Sequence, residues 1–327
     1  MSDFRKIVLD FPKQFEIGVN LAKDIKFGEK PKNIIFCGMG GSIIPAEIFI
    51  TLMPGTEYQT SITKYYIHRS YGLPKWASKE DLAICISWSG NTEETISSYQ
   101  EARQKNIPLI VLTKGGRLKE LAQTDGPLLI LLPQENIPPR MGAGYMFSAL
   151  YAVLAKNGII EDNTEKVKNL KLLKPDRFDD KAKELAEKTS NKTPLIYSSR
   201  KFLHWASLWK VFFNENAKIH SFFNVLPGMA HNELAGFNQK DNDKFFIILL
   251  LNRDEDARHQ KSIKNLSEIL KQLNYGNEIV ELEGNNLFEK SFNNYIFAAM
   301  TTLHLAKIRG VDPAEAELIE RFKELER

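Results

Sequence analysis

Cysteine is scarce in this chain, no apolar run is long, and no block of one charge sign stands out. Each shortage narrows what the protein can be. Only two cysteines occur in 327 residues. Cys37 and Cys85 both lie inside apolar runs that read as buried strands, without CxxC spacing and without an obvious base beside them. They read as small core residues rather than as a disulfide framework, metal ligands or nucleophiles. The most apolar stretch, residues 245–251, is strand-sized and too short to cross a bilayer. Residues 1–10 mix charged with apolar side chains and lack the apolar core of a secretion signal, so a cytoplasmic protein is expected. The net charge is only +3, with no basic block. Nucleic acid and membrane are therefore not expected as partners, whereas a small anion held locally fits such a balance. His68, His204, His220, His259 and His304 lack the spacing of metal ligands, so no metal is expected.

Apolar residues make up 43% of the chain and charged residues 26%, the balance of an ordinary globular protein with material for two cores. At roughly 150 residues per domain the length also suggests two. Short apolar runs at residues 33–37, 64–68, 82–87, 108–113 and 128–132 read as strands. Segments of helical spacing separate them, including residues 92–105 and 117–123. Residues 146–156 read as an apolar helix that closes the first domain, 1–156. Residues 157–193 form a charged, lysine-rich connection with an amphipathic helix at 179–188. The rhythm then resumes over 194–327, with strands expected at 195–199, 218–224, 245–252 and 277–283 and helices at 204–214, 256–274, 295–309 and 313–326. This alternation predicts an α/β protein whose two domains each hold a parallel sheet covered by helices on both faces.

The stretch Ser87-Trp88-Ser89-Gly90-Asn91-Thr92-Glu93-Glu94-Thr95 sits where a buried strand turns into a helix. Backbone N–H groups at a helix start have no partner within the helix and carry the positive end of its dipole. A phosphate fits there, with serine and threonine hydroxyls completing its shell. The simpler reading is that Asn91 or Thr92 caps the helix. Gly38-Met39-Gly40-Gly41-Ser42 is a second candidate loop, in which glycines allow close backbone approach and Ser42 can donate to a phosphate or sugar oxygen. A tight structural turn is the alternative, since both the GxGxxG spacing and the P-loop lysine are missing. Two such loops at strand ends in one sheet would open towards the same crevice. Pro138-Pro139-Arg140-Met141-Gly142 supplies a cation in a stiff loop, able to hold phosphate or an oxyanion, or else simply solvated. In the second half, Glu215 near a helix end and His231-Asn232-Glu233 in a loop provide the carboxylate and imidazole that acid–base chemistry needs near neutral pH. The alternatives are a solvated helix-end carboxylate for Glu215 and helix capping for His231 and Glu233.

Taken in order, the glycine-rich loop after Phe36-Cys37, the Ser87–Thr95 string, Pro139-Arg140 and His231-Asn232-Glu233 resemble the bifunctional phosphoglucose/phosphomannose isomerases of the sugar isomerase (SIS) superfamily. The resemblance runs from about Gly38 to the carboxyl terminus, where Arg309-Gly310-Val311-Asp312-Pro313 is similar to the approach to that family's last helix. It implies two SIS domains, a homodimer with active sites near the subunit interface, and no cofactor. By position, Gly41, Ser42, Ser87, Ser89 and Thr92 would hold the sugar phosphate and Arg140 would stabilise the enediolate. Glu215 would move the proton between C1 and C2, and His231, reaching the partner subunit's site, would help open the ring. Lys323 is the candidate for a lysine that the family brings to the substrate from its last helix. The chain departs from the family where Ile43 follows Ser42 in place of a glycine, and in the acidic Ala-Glu-Ala-Glu run after Pro313. The implied reaction is interconversion of glucose 6-phosphate and fructose 6-phosphate, with mannose 6-phosphate as a second aldose. A non-enzymatic sugar-phosphate sensor is the alternative from another class, as such a sensor has no use for Glu215 with His231. An isomerase of an amino-sugar or pentose phosphate is a third reading.

Overall fold

The computed structural model describes residues 2–22, 25–28, 30–53 and 63–326. They group into two compact units, one of Asp10–Leu173 and one that joins Met1–Leu9 to Lys174–Arg327. Helix α1 (Ser2–Asp10) therefore contributes mainly to the later unit, held there in part by an Arg5–Asp179 ion pair at 3.0 Å.

The unit of Asp10–Leu173 runs α2 (Lys13–Leu21), β1 (Asn33–Cys37), α3 (Gly40–Leu52), β2 (Lys64–His68), β3 (Leu82–Ile86), α4 (Glu93–Gln104), β4 (Leu109–Thr113), α5 (Gly116–Asp125), β5 (Leu128–Leu131), α6 (Ala143–Lys156) and α7 (Thr164–Lys168). Its strands form one parallel sheet in the order β2-β1-β3-β4-β5. Strands β3 and β4 are buried at every position, because helices cover both faces and leave no solvated side to alternate towards. Side chains from successive residues go to opposite faces. Ile35, Cys37, Ala83, Cys85 and Val111 pack with Tyr99 and Ala102 of α4 and with Leu118 and Ala122 of α5. Phe36, on the other face, meets Phe49 of α3 edge to face at 5.6 Å. The two cysteines are buried and free, register partners on neighbouring strands. The Cys37 thiol beside it and burial both push the Cys85 thiol well above its ordinary range. Helix α3 begins at Gly40, where the Ser42 N–H already closes onto the Met39 carbonyl at 3.1 Å.

The other unit continues with α8 (Asp179–Thr189), β6 (Thr193–Ser199), α9 (Leu203–Asn216), β7 (Phe222–Leu226), β8 (Phe245–Leu251), α10 (Ala257–Gln272), β9 (Gly276–Glu281), α11 (Leu287–Arg309) and α12 (Glu317–Glu326). Its parallel sheet has the order β7-β6-β8-β9. The sequence of pairings repeats that of the first sheet, but β9 is followed directly by α11, and among the described residues nothing corresponds to β5. Strand β7 starts later than the expected 218–224. Residues before it close helix α9 instead: Lys218 turns into the left-handed region at φ 53°, and the Ser221 N–H donates to Asn214 Oδ1 at 3.1 Å. Among the described residues no helix is long and apolar enough to cross a membrane.

Candidate active site

In the order β2-β1-β3-β4-β5 the chain reverses its direction across the sheet between β1 and β3. A crevice opens outside the carboxyl ends of strands at such a point, and both candidate loops leave the sheet there. The loops are bonded to each other: the backbone N–H of Trp88 donates to Ser42 Oγ at 3.0 Å, and this contact is buried. Ser87 Oγ accepts from the Gly90 N–H at 3.0 Å and lies 3.0 Å from Thr92 Oγ1. Ser89, exposed, accepts from the Asn91 N–H at 3.3 Å. Thr92 occupies the N-cap position of α4 with an extended backbone, yet its hydroxyl faces Ser87, and no side chain caps the helix. Asn91 Oδ1 is engaged elsewhere, accepting from the Arg117 N–H at 2.9 Å. The simple capping reading therefore fails for both residues. Ser42, Ser87 and Thr92 surround a helix start whose first N–H groups no side chain satisfies, and the buried Thr95 Oγ1 in its first turn has no partner either. Such a set is suited to an anion.

The loop needs its glycines for close approach. A Cβ on Gly90, which has φ +76°, would lie 1.8 Å from the Gly115 carbonyl oxygen. A Cβ on Gly41 would lie 2.4 Å from the Arg140 backbone nitrogen. Gly41 thus packs the turn Pro139–Gly142 against the start of α3, and Arg140 is buried to 1% exposure. A solvated surface arginine, the simpler reading of the sequence, is not what the fold makes of it. A buried guanidinium is retained only where partners or a ligand compensate its lost hydration. Trp88 lies over the same region, stacked on Tyr145 at 6.3 Å with Lys114 Nζ 5.6 Å from its ring centre. Burial pushes the Tyr145 hydroxyl up to about 12. The sequence reading missed the bracing from Thr113–Arg117; Gly115-Gly116 was its only local sign.

In the other unit, Glu215 lies half-buried in the last turn of α9. The carbonyls at a helix end lack intrahelical donors, and here cations supply them. Lys218 Nζ donates to the Glu215 carbonyl at 2.5 Å, and Arg309 Nε to the Ala217 carbonyl at 2.9 Å. The neighbouring Asn216 is buried and donates to Thr302 Oγ1 at 2.9 Å. The backbone carrying Glu215 is therefore fixed from α11. His231 ends a short turn, Gly228–His231, and is exposed. Glu233 is tied inward: its carboxylate accepts from the Tyr197 hydroxyl and, at 2.6 Å, from Asn224 Nδ2. Burial first, and then this carboxylate, raise the Tyr197 hydroxyl above its ordinary range. Glu233 thus anchors the loop that carries His231. Lys323 bonds Glu320 of its own helix at 2.7 Å, and the structure does not bring it to Glu215 or His231. At the end of β6, the counterpart of β1, the Ser199 hydroxyl donates to the Glu255 carboxylate, with His259 Nδ1 at 3.6 Å from the same oxygen.

Two helix-covered parallel sheets with a hydroxyl-lined crevice at a strand-order reversal define a double SIS architecture. Residues 178–325 match the model of the bacterial phospho-glucose isomerase C-terminal SIS domain. The fold superposes with a TM-score of 0.75 on the C-terminal domain of glucosamine-fructose-6-phosphate aminotransferase from Francisella tularensis, at 16% identity over 96% of this chain and 98% of that one. The chain is 32% identical, over 99% of its length and 98% of the relative's, to the bifunctional phosphoglucose/phosphomannose isomerase of Aquifex aeolicus. It belongs to the bifunctional phosphoglucose/phosphomannose isomerase family. A more distant relative, 26% identical over 93% of this chain and 92% of its own length, is the D-glucosamine-6-phosphate 4-epimerase of Sulfolobus acidocaldarius.

Proposed function

We propose that this chain is an aldose–ketose isomerase that interconverts glucose 6-phosphate and fructose 6-phosphate, accepts mannose 6-phosphate as a second aldose, and needs no metal. The observation that carries the reading is the set of hydroxyls, Ser42, Ser87 and Thr92, around the uncapped start of α4. On this reading they hold the phosphate together with Ser89 and the backbone at Gly41. The binding energy of that inert group orients the reacting end of the sugar. Glu215 takes the proton from the carbon beside the carbonyl and returns it to the neighbouring carbon, passing through a cis-enediol(ate). Arg140 stabilises the charge that develops on the enediolate oxygen. His231 helps open the ring; its exposure on this chain supports a role towards a partner subunit in a cytoplasmic homodimer. Lys323 is assigned to the substrate on family resemblance alone.

The test is Glu215→Gln, assayed with fructose 6-phosphate with and without chelator, alongside solvent-proton exchange. Removing a general base is expected to lower kcat by roughly 10²–10⁴-fold while the melting temperature holds. Wild-type turnover and exchange in the variant would remove Glu215 from the mechanism, and loss of wild-type activity with chelator would remove metal independence. Sedimentation of the purified chain tests the dimer. The relatedness to a 4-epimerase favours one alternative, action on an amino-sugar phosphate. Turnover of glucosamine 6-phosphate in preference to fructose 6-phosphate would establish it.

A further inference from the structure

The chain reaches Arg140 from β5 through residues 132–138, which form neither helix nor strand. A segment without a ladder is placed by the individual bonds it makes. At its start the Leu132 N–H donates to the Thr113 carbonyl at 2.9 Å. Further on, Lys114 holds it twice: Lys114 Nζ donates to the Glu135 carbonyl at 3.3 Å, and the Lys114 carbonyl accepts from Gln134 Nε2. The stiff pair Pro138-Pro139 then leads into the turn that carries Arg140. Beyond Arg140 the turn is held from elsewhere. Gln14 Nε2 donates to the Met141 carbonyl at 2.8 Å, and Gly142 lies so close to Trp88 that a Cβ there would come within 2.5 Å of the indole ring.

Lys114 also belongs to the turn that braces the Ser87–Thr92 loop. Its N–H donates to the Trp88 carbonyl at 3.3 Å, and four residues later the Leu118 N–H donates to the Gly90 carbonyl at 2.9 Å. The fit is close enough that a Cβ on Gly116 would lie 2.4 Å from the Ser89 carbonyl oxygen. The Lys114 ammonium, 5.6 Å from the Trp88 ring centre, stands at the distance of a cation–π contact. One residue thus touches the loop through Trp88 and the approach to Arg140 through Gln134 and Glu135. The bonds to those two residues are exposed to water. Such bonds contribute little net stability, so their consequence is where the segment sits.

We propose that Lys114 is a positioning residue for the isomerisation, one that carries occupation of the phosphate loop to Arg140; this rests on the phosphate and enediolate assignments under the proposed function. An anion at the start of α4 orders the loop and Trp88 with it. Lys114, bonded to the Trp88 carbonyl and lying over its ring, then fixes the backbone at 134–135, and the two prolines pass that placement on. Binding of the inert group is in this way used to aim the cation at the reacting end.

Lys114→Met keeps the length of the side chain and its apolar contact with Trp88 but removes the donor to Glu135. It is expected to lower kcat for fructose 6-phosphate by roughly ten- to hundredfold, the effect of misplacing a catalytic group by about 1 Å, while KM and the melting temperature hold. Lys114→Arg restores a cation over the ring and a donor, and should recover most of the loss. A raised KM with wild-type kcat would put the ammonium on the phosphate itself, and a lowered melting temperature with wild-type kcat would make Lys114 a strut; either result overturns the proposal. Hydrogen exchange with inorganic phosphate as the probe separates the coupling from the site. In the wild type phosphate should slow exchange at 89–95 and at 134–137, and in Lys114→Met at 89–95 alone. Protection of both segments in the variant, or of 89–95 alone in the wild type, would overturn the coupling and leave the phosphate site standing. No protection at 89–95 in the wild type would overturn the phosphate site, and the coupling with it.

Discussion

Ser42→Ala separates the two tasks that one hydroxyl combines. Its oxygen accepts from the Trp88 N–H at 3.0 Å in a buried contact, and its own hydrogen stays available for the crevice. Alanine leaves that N–H buried and unpaired, at a cost of about 1–3 kcal/mol. For a unit of this size each kcal/mol moves the melting temperature by about 2–4 °C, so a fall of roughly 2–12 °C is expected by calorimetry. If the hydroxyl hydrogen also donates to the phosphate, a bond to a charged group worth about 1.5–3 kcal/mol is lost as well. One decade in affinity is about 1.4 kcal/mol, which puts the rise in KM for fructose 6-phosphate at roughly ten- to hundredfold. A lower melting temperature with wild-type KM would make Ser42 a strut and remove it from the phosphate site. A wild-type melting temperature with unchanged exchange at the Trp88 amide would refute the strut.

Gly90→Ala must adopt φ +76° and place a methyl group 1.8 Å from the Gly115 oxygen. The left-handed backbone alone costs about 1–2 kcal/mol, and denaturant unfolding should show a larger loss together with weakened substrate binding. Arg309→Met removes the donor from the Ala217 carbonyl and should lower kcat with little change in KM, with Arg309→Lys recovering part of the loss; an unchanged kcat would show that the clasp does not position Glu215. The two cysteines should resist a thiol reagent at pH 8 in the folded protein and react fully in denaturant. Because folding raises the Cys85 thiol, the stability it contributes is present below the ordinary thiol range, about 8.5. It is lost as pH rises above that range, where the unfolded chain has given up a proton that the folded chain keeps. Unfolding free energy should therefore decline there by about 1.4 kcal/mol per pH unit for this one group, a slope that Cys85→Ala should lack.

The sheets were legible because their strands are short apolar runs bounded by turn residues, a pattern that local sequence carries by itself. Strand β7 was misplaced because residues 218–221 alternate like a strand but are used to close α9, and nothing local distinguishes a strand from a helix-closing turn. The loop proposed to hold phosphate was readable as a motif. The direction of the Thr92 hydroxyl was not, since it depends on Ser87 rather than on the helix that Thr92 starts. Burial of Arg140 had no local sign at all; it follows from the contact of Gly41 with a turn about a hundred residues later. Glu233 illustrates the converse: the sequence read it as a helix-capping neighbour of His231, while Tyr197 and Asn224 hold its carboxylate in place. Helix α1, first in the chain, packs with residues from the far end, a pairing that no local pattern encodes.

The Ser199–Glu255 contact bears on why one of two similar sheets is expected to do the anion binding. In the first sheet the hydroxyls at the strand-order reversal face a helix start that no side chain caps. In the second, the serine that ends β6 already holds a carboxylate of its own chain. A tethered anion of this kind is present at fixed effective concentration, and no dilution removes it. Soluble sugar phosphate would have to compete with a group that cannot diffuse away. Under the proposed function, the repeated architecture thus provides one berth for an exchangeable ligand and one kept permanently full, a division of labour set by the placement of a single glutamate.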